Sequence, residues 1–472
     1  MLAPLLTVVG LLASGRVSAL TAGLLGLLST FLVAATTTET SDARLWHDVL
    51  VGGWLAWLVV SIIATGLFFY RCTQTRSPVE RGEVMAATPR RLWAVCFLLA
   101  PFAESVTGFG VGFIIALAAL KRLGVVGLPA LLFGLFSQTL VPWGALAVGT
   151  TVGAGLAGIP LSDMGVRSAL LQGPIHALYL VLYWRIARSA GFPVGPAQKL
   201  DDLAWTLALI AGVCLTNAYA EVEIAGAAPT ALLMALRYWR DERPNQRQLL
   251  EALRDQAPYV LLTLALCATR LIAPLSQALK PIGRLAPFDG QPAFSPLYAP
   301  GFWLAAMGGI VLMHTRASLP RVLADTAKGA WRACLVTLAF VVMAQLYVGS
   351  GMARQIAEAL YVSVGRWSVT GVPLFAAVAG FLTGSGAASN AMLMPMLSAL
   401  ARALQLDSAW LAAIQNTVCA NLSMLSPMRV SMGAAVLGFA GSEGMLYRKA
   451  WPLALPALTV GMVAVAFMLL DG

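Results

Sequence analysis

Two long apolar runs, Arg91 to Arg122 and Trp367 to Arg402, are interrupted in the middle by glycine-rich polar sequence. The first carries Pro101, Glu104, Thr107, Gly108, Gly110 and Gly112; the second carries Thr383, Gly384, Ser385, Gly386, Ser389 and Asn390. Such sequence leaves backbone N–H and C=O groups without helical partners. In a membrane it survives only where it is buried in protein or lines a wet cavity. Each run is therefore expected to form a re-entrant helical hairpin or a broken helix, with its tip near the midplane. The membrane setting follows from composition. The 472-residue chain is 59% hydrophobic and only 11% charged, whereas a soluble domain carries about a quarter charged residues. That excludes a soluble enzyme, a disordered chain and a secreted disulfide scaffold.

The remaining apolar runs, at about 20 residues per span, predict roughly ten to twelve spans, with Met1 to Gly15 read as a short first span rather than a signal peptide. The net charge of +10 does not point to nucleic acid here. Arginine and lysine concentrate in the breaks at 71–91, 185–202, 237–254 and 316–332, which read as cytoplasmic loops. The breaks at 37–45, 159–165 and 276–297 read as external. On this count both ends of the first hairpin, near 91–122, face the cytoplasm and both ends of the second, near 367–405, face outside. Each hairpin is followed by an interrupted span. In 125–158 the break falls at Pro142-Trp143-Gly144, and in 408–440 at Ser426-Pro427. A proline there removes an intrahelical hydrogen bond and frees carbonyls. Hairpin plus broken span, twice and in opposite directions, is the mark of an inverted-repeat secondary transporter, with halves 1–240 and 241–472. Several helix N-termini then converge on one site, where their partial positive charge suits an anion.

The segment Phe102-Ala103-Glu104-Ser105-Val106-Thr107-Gly108-Phe109-Gly110 resembles a motif of the L-lactate permease family. Gly351-Met352-Ala353, Gly380-Phe381-Leu382-Thr383-Gly384-Ser385-Gly386-Ala387-Ala388-Ser389-Asn390-Ala391, Leu425-Ser426-Pro427 and Gly441-Ser442-Glu443-Gly444 follow that family's order in the second half. The resemblance implies a proton-coupled symporter importing L-lactate, glycolate or a related 2-hydroxy monocarboxylate, with elevator-like motion, in a bacterial inner membrane. It also exposes departures. The family pattern has Asp at Gly386, Thr-Ser at Ala387-Ala388, a Lys near Ser423 or Met424, Gln at Met428 and Thr-Pro at Val111-Gly112. With those polar groups missing, the expected substrate has a larger apolar part than lactate.

An ionised side chain in an apolar run is expensive, which makes Glu104 the expected proton-coupling residue. Its bland alternative is a carboxyl bonded to the hairpin backbone. Thr107, Gly108 and Gly110 are expected to bind substrate through backbone N–H groups. Thr383, Gly384, Ser385, Ser389, Asn390 and Ser426 are candidates through hydroxyl, amide and N–H contacts, although Ser and Asn also cap helices. Arg429, beside Pro427, is the expected carboxylate anchor. Arg270 is its competitor, and Glu221 and Glu223 are further ionisable candidates. His176 reads as a scaffold histidine before a proton shuttle, and His47 and His314 as interfacial. The six cysteines show no metal or disulfide spacing. No metal site or cofactor is expected.

The expected partners are a small organic anion, protons or Na+, and the bilayer, without nucleic acid; a homodimer is left open. The competing classes are a Na+-coupled transporter of another organic anion, such as a dicarboxylate or sulfonate, an anion channel, and an intramembrane enzyme. Two opposed hairpins at one site argue against a channel. No HExxH, GxSxG or Walker A sequence occurs.

Overall fold

A computed structural model describes residues 2–37, 41–76, 86–108, 110–438 and 443–470. The motif residues Phe109, Gly441 and Ser442 lie outside the described residues, as does the side chain of Glu443. Among the described residues the regular elements are helical, apart from one isolated bridge between Leu285 and Phe294. The chain is a polytopic membrane protein by its helices: among the described residues six are long and apolar enough to cross a bilayer, or up to eight if each bent pair is one span.

That is fewer than the ten to twelve expected, because several apolar runs fold into short pieces. Residues 2–15 supply only the 11-residue helix Ala3–Ala13. At 1.5 Å per residue such a helix covers about half of a hydrocarbon core of about 30 Å. The run 257–275 becomes two helices, Ala257–Leu271 and Ala273–Leu279, bent by 91°. Pro274 has no N–H to donate to the Arg270 carbonyl one turn back, and the helix cannot continue straight.

Helix Asp42–Gln74 packs along Leu319–Gly349 and Pro300–Thr315. Gly52 allows the first approach, since a Cβ there would stand 2.8 Å from the Val342 Cα; small residues perform this office wherever membrane helices approach closely. A second group surrounds helix Gly386–Ala403, which is buried from Ala387 to Ala401. It packs against Gly144–Ala157 and Ser408–Leu422, and the latter packs in turn on Leu161–Ser189 and Leu455–Leu470.

The order helix, glycine turn, helix, broken helix occurs twice. In the first half Ala100–Thr107 and Val111–Arg122 flank the turn, and Gly127–Gln138 and Val141–Ala157 meet at 56°. In the second half Val372–Thr383 and Gly386–Ala403 flank the turn, and Ser408–Leu422 breaks through Ser423–Leu425 into Pro427–Leu437. Both breaks fall where proline and glycine place them in the sequence.

Candidate functional site

The first tip is closed by Glu104. Its carbonyl accepts from the Gly108 N–H at 2.8 Å. Its carboxylate accepts from Gly110 N–H through Oε1 and from Gly112 N–H through Oε2, both at 3.0 Å. Gly112 is required for this closure, because a Cβ there would lie 2.5 Å from the Ala100 carbonyl oxygen. The Thr107 hydroxyl donates back to Ala103. The Gly108 and Gly110 N–H groups both donate to Glu104, the first to its carbonyl and the second to its carboxylate. A nearby carboxylate was available on the preceding helix and captured donors that a helix N-terminus would otherwise present to a ligand. Glu104 in turn has each carboxylate oxygen engaged by a backbone N–H, which ties the tip to the preceding helix.

The second tip is built differently. Gly384 is left-handed at φ 62°, and Ser385 caps the next helix by accepting from the Ala388 N–H. Thr383 and Ser389 hydroxyls meet at 2.8 Å. Gly386 and Ala387 open the helix, so their N–H groups have no carbonyl one turn back. A Cβ built on Gly386 would meet no atom within 4 Å. At Gly386, then, the tip borders open space.

The two breaks connect the tips. After Pro142 and Gly144, three successive non-glycine residues, Ala145, Leu146 and Ala147, take left-handed φ values of 48°, 55° and 63°. Each such residue costs roughly 1–2 kcal/mol. The turn sets Ala145 so close to Gly108 that a Cβ there would stand 2.4 Å away, while Gly149 in the same helix packs on Gly386 and Ala387. In the second break Ser426 Oγ would stand 2.8 Å from a Cβ on Gly384. Arg429, 4% exposed, donates from Nη1 to Ser423 Oγ, and its Nη2 lies 3.7 Å from Glu104 Oε1. Its Nε has no partner. Glu104, Arg429, Ser426 and Gly384 thus form a path from one tip to the other.

Behind the tips lies a polar network of which the sequence singles out only Asn390 and His176. Asn390 donates to the Gly149 carbonyl at 2.9 Å and to Asn416 Oδ1 at 2.8 Å. Asn416 donates to Thr150 and Ser168 hydroxyls. Asn421 and Gln172 exchange amide bonds, and Gln172 reaches His176 Nδ1 at 3.0 Å. The signal was present as Gln415, Asn416 and Asn421 inside one apolar run, read there only as a span. Asn390 accordingly ties its helix to two others. Asn416→Ala is expected to destabilise the protein by about 1–3 kcal/mol, because it orphans several buried groups at once. Thermal unfolding in detergent measures this, and an unchanged midpoint would show that the network carries no stability.

Arg270, Glu221 and Glu223 lie apart from Arg429, around Tyr298. His176 sits against Phe97 and Tyr179 with Nε2 unpartnered, and His314 Nδ1 meets the Ile310 carbonyl.

Comparison with known proteins adds two findings. The model of the L-lactate permease family matches residues 286–470, which include the second tip and second break. The glycolate permease GlcA of Escherichia coli (strain K12) is 24% identical, over 87% of this chain and 84% of its own.

Proposed function

We propose that this chain, a divergent member of the L-lactate permease family, is a proton-coupled symporter that imports a small 2-hydroxy monocarboxylate across a bacterial inner membrane. At the coarser level it is a multi-pass membrane transporter of lactate- or glycolate-like substrates. The observation that carries the finer reading is Arg429. A buried guanidinium with unused donors is costly unless something pairs with it. A substrate carboxylate between Arg429 and the Gly386 N–H would supply that pairing, the guanidinium gripping it bidentately. Thr383, Ser385, Ser389 and Ser426 offer hydroxyl partners for the 2-hydroxyl.

On this reading the halves 1–240 and 241–472 form an inverted repeat, with the two tips opening to opposite faces and the bodies exchanging access in an elevator-like motion. The twice-occurring order of turn and broken helix supports it. A thermal-shift series of purified protein with glycolate, lactate and bulkier 2-hydroxy acids tests the substrate class. A bound ligand at 100 times its Kd stabilises by about 2.7 kcal/mol. If no carboxylate shifts the midpoint, the substrate assignment fails.

Gly386 sets the size of the pocket. Gly386→Val is expected to fold normally, since its Cβ enters open space, and to fill room needed by a branched substrate. Loss of one well-placed methylene's worth of space changes discrimination by roughly 1–3 kcal/mol. Competition for labelled uptake should then fall roughly tenfold or more for branched acids and much less for glycolate. Equal losses for both would remove Gly386 from the pocket wall.

A further inference from the structure

We infer that Glu223 takes up the coupling proton from the external side, with Arg270 as its counter-ion; this rests on the proton-coupled reading above. Glu223 lies in the turn Val222–Ile224, between helices Pro196–Tyr219 and Ala227–Glu242. Its side chain is 20% exposed, while its Oε2 is buried and has no hydrogen-bond partner. Arg270 Nε, 4.0 Å away, is also buried and unpartnered. Arg270 Nη1 donates to Thr269 Oγ1 and Nη2 to the Tyr298 carbonyl. The remaining charged or titratable groups facing this pair are Glu221, Lys280, Tyr298 and, beside Arg270, Cys267: Tyr298 donates its hydroxyl to Glu221, and Lys280 lies 3.8 Å from Glu221. Burial pushes the Glu223 carboxyl above the ordinary range, Arg270 opposes it, and Glu221 adds to the rise.

Other buried carboxylates are worse placed. Glu104 has both oxygens engaged by N–H donors. Asp202 accepts from Trp184 and Gln198. Asp48 has a free Oδ2, but it faces Gly349 in the packing of Asp42–Gln74 on Leu319–Gly349, away from both breaks.

Glu223 also has a route to the site. The Val222–Ile224 turn packs on Val141–Trp143, the first break. Three residues on, Gly226 is pressed against Ser105 and Trp143, where a Cβ would stand 2.4 Å from Ser105 Oγ and 2.7 Å from Trp143 Cβ. Protonation adds one O–H bond at Glu223 and removes its charge from Arg270, which loosens this turn from the loop holding Tyr298. Return to the carboxylate on the cytoplasmic side releases the proton with the substrate.

The test uses the full chain in proteoliposomes with labelled lactate. A one-unit inward proton gradient should drive accumulation of about tenfold in the parent, the equivalent of one pH unit per proton. Glu223→Gln should abolish that accumulation while exchange of labelled for unlabelled lactate continues; Glu223→Asp should retain accumulation with a shifted pH profile. Accumulation by Glu223→Gln with the parent's pH profile overturns the inference, and so does loss of exchange in a monodisperse variant. If Glu223→Gln does not fold, an unshifted profile for Glu223→Asp overturns it and a shifted one supports it. If the parent exchanges lactate but does not respond to the gradient, the proton-coupled reading itself fails, and with it this assignment.

Discussion

Arg429→Ala is expected to weaken binding of the transported carboxylate by roughly 10- to 150-fold, corresponding to the 1.5–3 kcal/mol of a hydrogen bond to a charged group. The guanidinium is almost wholly buried between the tips and already held by Ser423, so it is oriented before substrate arrives. Little reorganisation is then needed to grip a carboxylate with Nε and Nη2. Arg429→Lys should recover only part of the loss, because an ammonium cannot present two parallel donors. Binding is read from thermal-shift titrations, and the half-saturation of exchange in proteoliposomes gives an independent value. Parent-like affinity in Arg429→Ala would show that the arginine serves only Glu104 and Ser423.

Glu104→Ala has the largest expected effect on stability, a loss of about 3–5 kcal/mol. That is the usual result of leaving one member of a buried ion pair alone. Here the loss is compounded, since the N–H groups of Gly110 and Gly112 are orphaned with Arg429. Glu104→Gln keeps the shape but presents an amide NH2 to one of the N–H donors, so it should be destabilised by about 1–3 kcal/mol. If Glu104 is an anchor, the Gln variant keeps the parent's pH profile; if it is the proton carrier first expected from its place in an apolar run, the profile shifts. The double variant Glu104→Ala with Arg429→Ala should be less destabilised than the sum of the singles, by about 1 kcal/mol or more. Denaturant or thermal unfolding of all four proteins measures the cycle. Strict additivity would mean that the 3.7 Å pair is not energetically coupled.

Much of the architecture is local and could be read along the chain. The breaks at Pro142-Trp143-Gly144 and Ser426-Pro427 follow from the missing N–H of proline and from ring sterics, both properties of adjacent residues. The tips at Gly108–Gly110 and Gly384–Ser385 follow because left-handed backbone favours glycine. The number of spans was less legible. Apolar character measures partition into a membrane, whereas crossing also needs an unbroken helix of sufficient length, and Pro274 shows how one residue divides a run.

Partners across space could not be read in the same way. Composition marks Glu104 as an expensive side chain at membrane depth, but only the closing angle of two helices brings its oxygens to the Gly110 and Gly112 N–H groups. The same holds for Asn390, Asn416, Asn421 and Gln172, which the chain scatters over three helices: packing joins Asn390 to Asn416 and Asn421 to Gln172 through hydrogen bonds. Arg429 could be named as a cation, yet its standing 3.7 Å from Glu104 depends on the second break lying against the first tip. Local stereochemistry acts between neighbours and so is written in order along the chain; the choice of a hydrogen-bond or ionic partner depends on how helices far apart in sequence cross, and that is decided only when the whole core packs.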